Sequence, residues 1–184
     1  MQGRIWTLSN GLSFFRVLLV IPIAYLLYLN LPPYRFYAAI LIIIAGLTDL
    51  FDGMLARKLN QVSDFGKIID PIADKIGIGT VAVIVTMQGK LPPWFLIAVL
   101  LRDSLIFLGG LYIKKTKGVI LQSNSSGKWA AAMLAFMLLI TVIDVPELDF
   151  FKMLFLYGAA ILMVVSFVSY TDRFVNVCSK TPFL

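Results

Sequence analysis

Apolar runs long enough to cross a bilayer alternate along this chain with short polar punctuation. A hydrocarbon core needs about 20 consecutive apolar residues per helix, and six runs approach that length. The first spans about Leu12 to Leu29; it is entered through Ser9-Asn10-Gly11 and stopped by Asn30-Leu31-Pro32-Pro33. The second spans about Tyr34 to Leu55, and the third about Lys67 to Met87, closing at Gly89-Lys90. Pro92-Pro93-Trp94 opens the fourth, which continues to about Ile113. The fifth covers about Trp129 to Ile143 and the sixth about Phe150 to Tyr170. Paired prolines and glycines sit where helices must end, because proline lacks the amide donor and glycine tolerates the turn. No connection between runs exceeds about 15 residues, so one compact bundle is expected. The predicted fold is an all-α integral membrane bundle of six transmembrane helices, a single domain over residues 1–184.

Composition agrees. Hydrophobic residues make up 60% of the 184 positions, against roughly 45 to 50% in soluble domains. The net charge of +6 arises from 16 basic and 10 acidic residues, and their placement reads as topology rather than as affinity for nucleic acid. With the N-terminus in the cytoplasm, that side receives Arg4, Arg57, Lys58, Lys67, Lys114, Lys115, Lys117, Lys128, Arg173 and Lys180. The opposite side receives Arg35, Lys90 and Lys152. Both termini are therefore expected in the cytoplasm. The first run is too long for a signal peptide and lacks its small-residue cleavage site.

Histidine is absent and Cys178 is the single cysteine. This excludes Ser-His-Asp and Cys-His nucleophile systems, zinc sites of Cys and His, and an internal disulfide. Proton transfer and metal binding fall to the remaining oxygen and amine groups. Five of the ten acids, Asp49, Asp52, Asp64, Asp70 and Asp74, crowd one short stretch. On a helix, residues three or four apart share a face. Asp49 and Asp52 thus project together near the end of the second helix, and Asp70 and Asp74 together at the start of the third. The short loop between makes these helices antiparallel neighbours, close enough at about 8 to 10 Å for facing carboxylates to share cations. Acids near a bilayer are expensive and call for a compensating cation. All-oxygen ligands suit Mg²⁺, Mn²⁺ or Ca²⁺, and two such ions suit phosphoryl chemistry. Gly53 and Ala56 leave room for a flat base or a diphosphate. Arg57 offers a phosphate-binding fork, and Gly66 lets backbone approach a ligand. Pro71 is placed in the first turn of the third helix, where its missing N–H costs little.

The stretch from Asp49 to Asp74 reads D-x2-D-G-x2-A-R-x8-G-x3-D-x3-D, and this resembles the signature of the CDP-alcohol phosphotransferases without departure. Such a fixed pattern is far more specific than a lone glycine loop. The resemblance implies transfer of a phosphatidyl or similar group from a CDP-linked donor to an alcohol, with release of CMP. It implies that Asp49, Asp52, Asp70 and Asp74 hold two divalent cations, Mg²⁺ or Mn²⁺, and that Asp74 is also the base. Thr48, Gly53, Ala56, Arg57 and Gly66 would line the CDP pocket. A homodimer is also implied, in the inner (cytoplasmic) membrane, with the active site facing the cytoplasm.

Within that family, Asp70-Pro-Ile-Ala-Asp-Lys75 and the opening Leu8-Ser-Asn-Gly-Leu-Ser-Phe-Phe-Arg16-Val are similar to bacterial phosphatidylglycerophosphate synthases. Those enzymes use CDP-diacylglycerol and glycerol 3-phosphate. Arg102-Asp103 followed by Gly109-Gly110 is also similar to CMP-forming cardiolipin synthases, whose acceptor is phosphatidylglycerol. The first reading is preferred, with Lys75, Arg102 and Lys128 as candidates for the acceptor phosphate. Arg16, in the first helix, has three readings: snorkelling to the interface, pairing with Asp103, or touching substrate. Lys114, Lys115 and Lys117 enforce topology, and Trp6, Trp94 and Trp129 anchor at interfaces. Asp64 is read as a solvated loop residue, and Asn10 as a helix cap or a polar contact to the nucleotide. Gly77, Gly79, Gly109 and Gly110 are candidates for close helix approach. An ion or proton transporter and a non-catalytic membrane scaffold are the competing classes; the transporter favours carboxylates at broken helices in midmembrane, and the scaffold needs no metal site.

Overall fold

The computed structural model describes residues 8–58, 66–117 and 125–180. Within them the chain forms α1 (Leu8–Leu29), α2 (Pro32–Lys58), α3 (Gly66–Met87), α4 (Pro93–Lys117), α5 (Ser125–Ile143), a 3₁₀ turn (Pro146–Leu148) and α6 (Asp149–Lys180). No strand occurs among the described residues. All six expected helices are present, and most run further than the apolar runs. α1 and α5 begin earlier, while α2, α4 and α6 end later, α6 extending ten residues past Tyr170 to Lys180. The reason is physical. Apolar length reports bilayer thickness, whereas a helix satisfies its own backbone and continues into the polar interface. α3 begins at Gly66 as the glycine suggests, but Pro71 is its sixth residue, one turn deeper than expected. Proline there removes the amide that would bond to the Lys67 carbonyl.

Three stretches among the described residues are long and apolar enough to cross a membrane: Pro93–Thr116, Ser125–Ile143 and Pro146–Ser179. α1 and α2 contribute the shorter apolar segments Phe14–Leu29 and Pro32–Thr48. α3 is interrupted by Lys67, Asp70, Asp74 and Lys75. Large apolar side chains face outward, among them Ile21, Leu101, Ile161 and Val164, as a lipid-immersed surface requires. This is an all-α protein with the character of a membrane bundle.

The chain divides into two compact units. The first holds α1, α2 and α3 with Thr141–Asp144, and in it α1 packs along both α2 and α3. Its buried positions are often alanine, Ala38, Ala39, Ala73 and Ala82, and small residues let helix backbones approach where lipid offers no hydrophobic driving force. The second unit holds α4, most of α5, the 3₁₀ turn and α6. There α4 and α6 meet along a seam. The Tyr170 hydroxyl donates to the Ile106 carbonyl at 2.9 Å, and a Cβ built on Gly109 would lie 3.0 Å from that hydroxyl. Gly109 therefore serves close approach, as expected, whereas nothing lies within 4 Å of a Cβ on Gly79.

Candidate active site

Asp49 and Asp52 fall on α2 three residues apart, and Asp70 and Asp74 on α3 four residues apart. The backbone thus gives each pair the shared helical face that the spacing demands. The side chains of Asp49, Asp52, Ala56, Arg57 and Asp70 and the surroundings of Gly53 and Gly66 lie outside the described residues, as do Asp64 and the rest of the connecting loop. Asn10 is the third residue of α1, inside the helix and not at its cap, because the helix starts earlier than the apolar run; the anchor expected of Trp6 lies outside the described residues.

Asp74 is described, and its partner was missed by the sequence reading. Arg16 Nη1 on α1 donates to Asp74 Oδ1 at 2.5 Å. Arg16 is buried, with 6% of its side chain exposed, whereas 41% of the Asp74 side chain is open. A cation placed inside a membrane helix costs about 2.5 to 3.5 kcal/mol on insertion scales, so it must sit beside an anion. Snorkelling is therefore not what Arg16 does. No local pattern could have named Asp74, because the two residues are separated by an entire helix. What fixes the meeting is register. Val20 lies 3.9 Å from a Cβ built on Gly77, and further along Gln88 Nε2 donates to the Leu27 carbonyl at 2.7 Å. Three contacts in the same order, 16 with 74, 20 with 77 and 27 with 88, make α1 and α3 parallel and hold Arg16 level with Asp74.

The remaining candidates are less concentrated. The Thr48 hydroxyl donates back to the Ala45 carbonyl at 2.7 Å, which leaves its oxygen as an acceptor. Lys75 is exposed beside Asp74, and Lys128 is exposed near the start of α5. Arg102 ties α4 to α6: Nη1 donates to Asp103 Oδ1 at 2.9 Å and Nη2 to the buried Ser166 hydroxyl at 2.8 Å. Its Nε is buried without a hydrogen bond among the described residues.

At the far end of the first unit, three helices stop on left-handed residues. Asn30 (φ 50°) follows α1, Gly89 (φ 74°) follows α3 and Asp144 (φ 55°) follows α5. Asn and Asp adopt this conformation more readily than other non-glycine residues. Their side chains then gather the cations of that face. Arg35 donates from Nε to Asn30 Oδ1 (3.1 Å), from Nη2 to the Asn30 carbonyl (3.0 Å) and from Nη1 to Asp144 Oδ2 (2.6 Å). Lys90 Nζ reaches Asn30 Oδ1 at 3.1 Å and Asp144 Oδ2 at 3.0 Å. Two of the three cations assigned to this side are thus tied into the turns.

Comparison with known proteins bears on the whole arrangement. Residues 6–167 match the family described as CDP-alcohol phosphatidyltransferase. A protein of Rickettsia bellii named CDP-diacylglycerol--glycerol-3-phosphate 3-phosphatidyltransferase is 36% identical over 99 residues, covering 54% of this chain and 55% of that one. A protein of Bacillus subtilis with the same name is 33% identical over 148 residues, covering 78% and 76% respectively. One from Wigglesworthia glossinidia brevipalpis, also so named, is 51% identical over 65 residues, 35% of this chain and 36% of that one. The chain spans about half the length of the Rickettsia relative. The family match takes in Arg16, the four aspartates, Arg102 and Ser166 together, and on this breadth of agreement the chain belongs to the CDP-alcohol phosphatidyltransferase family.

Proposed function

We propose that this protein transfers the phosphatidyl group of CDP-diacylglycerol to glycerol 3-phosphate, with release of CMP. The observation that carries the reading is the set of aspartates at fixed spacing on α2 and α3, in a chain of this family whose relatives are named for that reaction. The acceptor hydroxyl attacks the phosphorus that bears the diacylglycerol. A new P–O bond forms, the bridging P–O bond to CMP breaks, and the electron pair leaves with CMP. Asp74, with its open carboxylate, takes the hydroxyl proton. Asp49, Asp52, Asp70 and Asp74 form a hard, all-oxygen donor set that fits two Mg²⁺ or Mn²⁺ ions. When bound, these would stabilise charge on the phosphate and on the departing CMP.

Gly53, Ala56 and Gly66 leave space for the cytidine and diphosphate, Arg57 forks onto phosphate, and Thr48 accepts at the edge of the pocket. Lys75, Arg102 and Lys128 are the cations for the acceptor phosphate. The six helices span the inner membrane, with both termini and the aspartates on the cytoplasmic face, where glycerol 3-phosphate is available. The chain works as a homodimer. The test is product identity. Purified protein is given CDP-diacylglycerol, Mg²⁺ or Mn²⁺, and in turn glycerol 3-phosphate, phosphatidylglycerol, serine and inositol phosphate, with lipid products read by mass spectrometry. Phosphatidylglycerophosphate is the expected product. Cardiolipin from phosphatidylglycerol, the outcome favoured by the Arg102-Asp103 and Gly109-Gly110 pattern, would replace this acceptor with another of the same reaction class.

A further inference from the structure

We infer that the neighbouring C-terminal ends of α4 and α6 form a binding surface for the phosphate headgroups of anionic phospholipids, with cations supplied by both helices. This surface lies outside the aspartate stretch and depends neither on the acceptor nor on the reaction. The geometry begins at the α4–α6 seam. Arg102 Nη2 donates to the Ser166 hydroxyl at 2.8 Å, the Tyr170 hydroxyl donates to the Ile106 carbonyl at 2.9 Å, and the Tyr112 and Phe174 rings stand 6.2 Å apart. Residues 102, 106 and 112 thus meet 166, 170 and 174 in the same order, so α4 and α6 run parallel and end on the same side. The first two pairs are each 64 positions apart in the chain, yet the seam joins the two helix ends into one surface.

That surface is basic. Lys114 and Lys115 on α4 and Arg173 on α6 are exposed, and Lys117 and Lys180 are the last residues of the two helices. At about 1.5 Å of rise per residue, the five cationic positions fall within about 10 Å along the helix axes, close to the level of the Tyr112–Phe174 contact. Asp172 is the one acid within residues 106–117 and 170–180. The backbone dipoles of two helix C-termini supply together about one negative charge, whereas five cations and one acid give +4, so about three positive charges remain for an external anion.

The place of the surface selects a lipid over a soluble anion. The apolar stretches Pro93–Thr116 and Pro146–Ser179 run up to this level, and Leu108, Leu111, Tyr112, Val168 and Val175 lie exposed beneath or among the cations. Past Tyr170, α6 is two-sided: Phe174, Val175 and Cys178 share one arc, and Asp172, Arg173 and Asn176 the other. An apolar arc at the acyl boundary with cations above it is the arrangement of an interfacial helix, whose lysines and arginines meet lipid phosphates.

Two readouts test the inference. Native mass spectrometry of the full chain in detergent, given an equimolar mixture of phosphatidylserine and phosphatidylcholine, probes the surface with an anionic lipid that is neither donor nor acceptor in either reading of the reaction. Wild type is expected to retain phosphatidylserine over phosphatidylcholine by about fivefold or more, the effect of one basic residue at an anionic membrane surface. The triple variant Lys114→Gln/Lys115→Gln/Arg173→Gln should bring that ratio near unity, and Lys114→Arg/Lys115→Arg should keep it, since charge carries the binding. Thermal unfolding in the same detergent is the second readout. Without lipid the triple variant should melt with wild type, and phosphatidylserine should raise the melting temperature of wild type alone. If the triple variant melts early, Lys114→Gln/Lys115→Gln decides the retention ratio in its place. No preference in wild type, or an undiminished preference once the charges are removed, would overturn the inference. Inorganic phosphate that stabilises wild type as well as phosphatidylserine does, against chloride at equal ionic strength, would also overturn it and assign the surface to a soluble anion.

Discussion

At one end of the first unit the Asp144 carboxylate is met by Arg35 and Lys90, with Asn30 joining the same network. At the other end Asp74 is met by Arg16, and its side chain is 41% exposed against 30% for Asp144. The two clusters lie along the same helix, Asn30 and Arg16 being separated by about 20 Å of helical rise. In the first, two cations converge on one carboxylate, and all the groups belong to turns that end α1, α3 and α5 or begin α2. Its chemistry is used up in holding chain ends together. In the second, the carboxylate shares a helical stretch with Asp70 while α2 carries Asp49 and Asp52. What separates the two clusters is the company of the carboxylate, chain-ending turns at one end and three further aspartates on α2 and α3 at the other.

Substitutions at the two ends should therefore separate into different losses. The largest effect on turnover is expected from Asp49→Asn, Asp52→Asn or Asp70→Asn. Each should lower CMP release by about 100-fold or more, because a carboxylate ligand of a catalytic cation supports several kcal/mol of transition-state stabilisation. Assays at a range of Mn²⁺ concentrations check whether excess metal restores part of the rate. At the opposite end, Asp144→Asn leaves Arg35 and Lys90 facing one another at half-buried positions. This should lower stability by about 1 to 3 kcal/mol, between the values for exposed and buried pairs, while turnover at a temperature well below melting stays close to wild type. A melting curve and a rate measured on one preparation check both halves. The smallest effect is expected in the second unit. Tyr170→Phe deletes the hydroxyl that bonds to Ile106 and should cost about 1 kcal/mol, with no change in KM or kcat.

Much of this comparison was legible in the sequence. The six helices follow from apolar runs and their proline and glycine stops, and the aspartate end follows from spacing within two helices. These are local signals. The far extension of α6 to Lys180 was not visible, since Thr171, Asp172 and Arg173 end the apolar run without ending the helix. The 3₁₀ turn at Pro146–Leu148 was likewise hidden within an acidic connection. Harder still were the pairs Arg16–Asp74 and Arg35–Asp144, separated by 58 and 109 residues. They depend on the relative register of helices, which no periodicity within one helix can report. A buried arginine in an apolar run does announce that an acid must meet it. Which acid is decided by packing. Asp144 gave a weaker signal, because its left-handed backbone arises only once α5 ends there.

The central claim is that the aspartate end of the first unit is the reaction centre, and side-by-side rates of CMP release test it most directly. Wild type and Asp74→Asn, each assayed at a temperature where its own melting curve shows it folded, are given CDP-diacylglycerol and glycerol 3-phosphate with Mg²⁺, and then with the metal chelated. The account predicts that wild type releases CMP in step with phosphatidylglycerophosphate, that chelation stops it, and that Asp74→Asn releases at least about 100-fold less. Wild-type rates in Asp74→Asn, or undiminished CMP release after chelation, would contradict it.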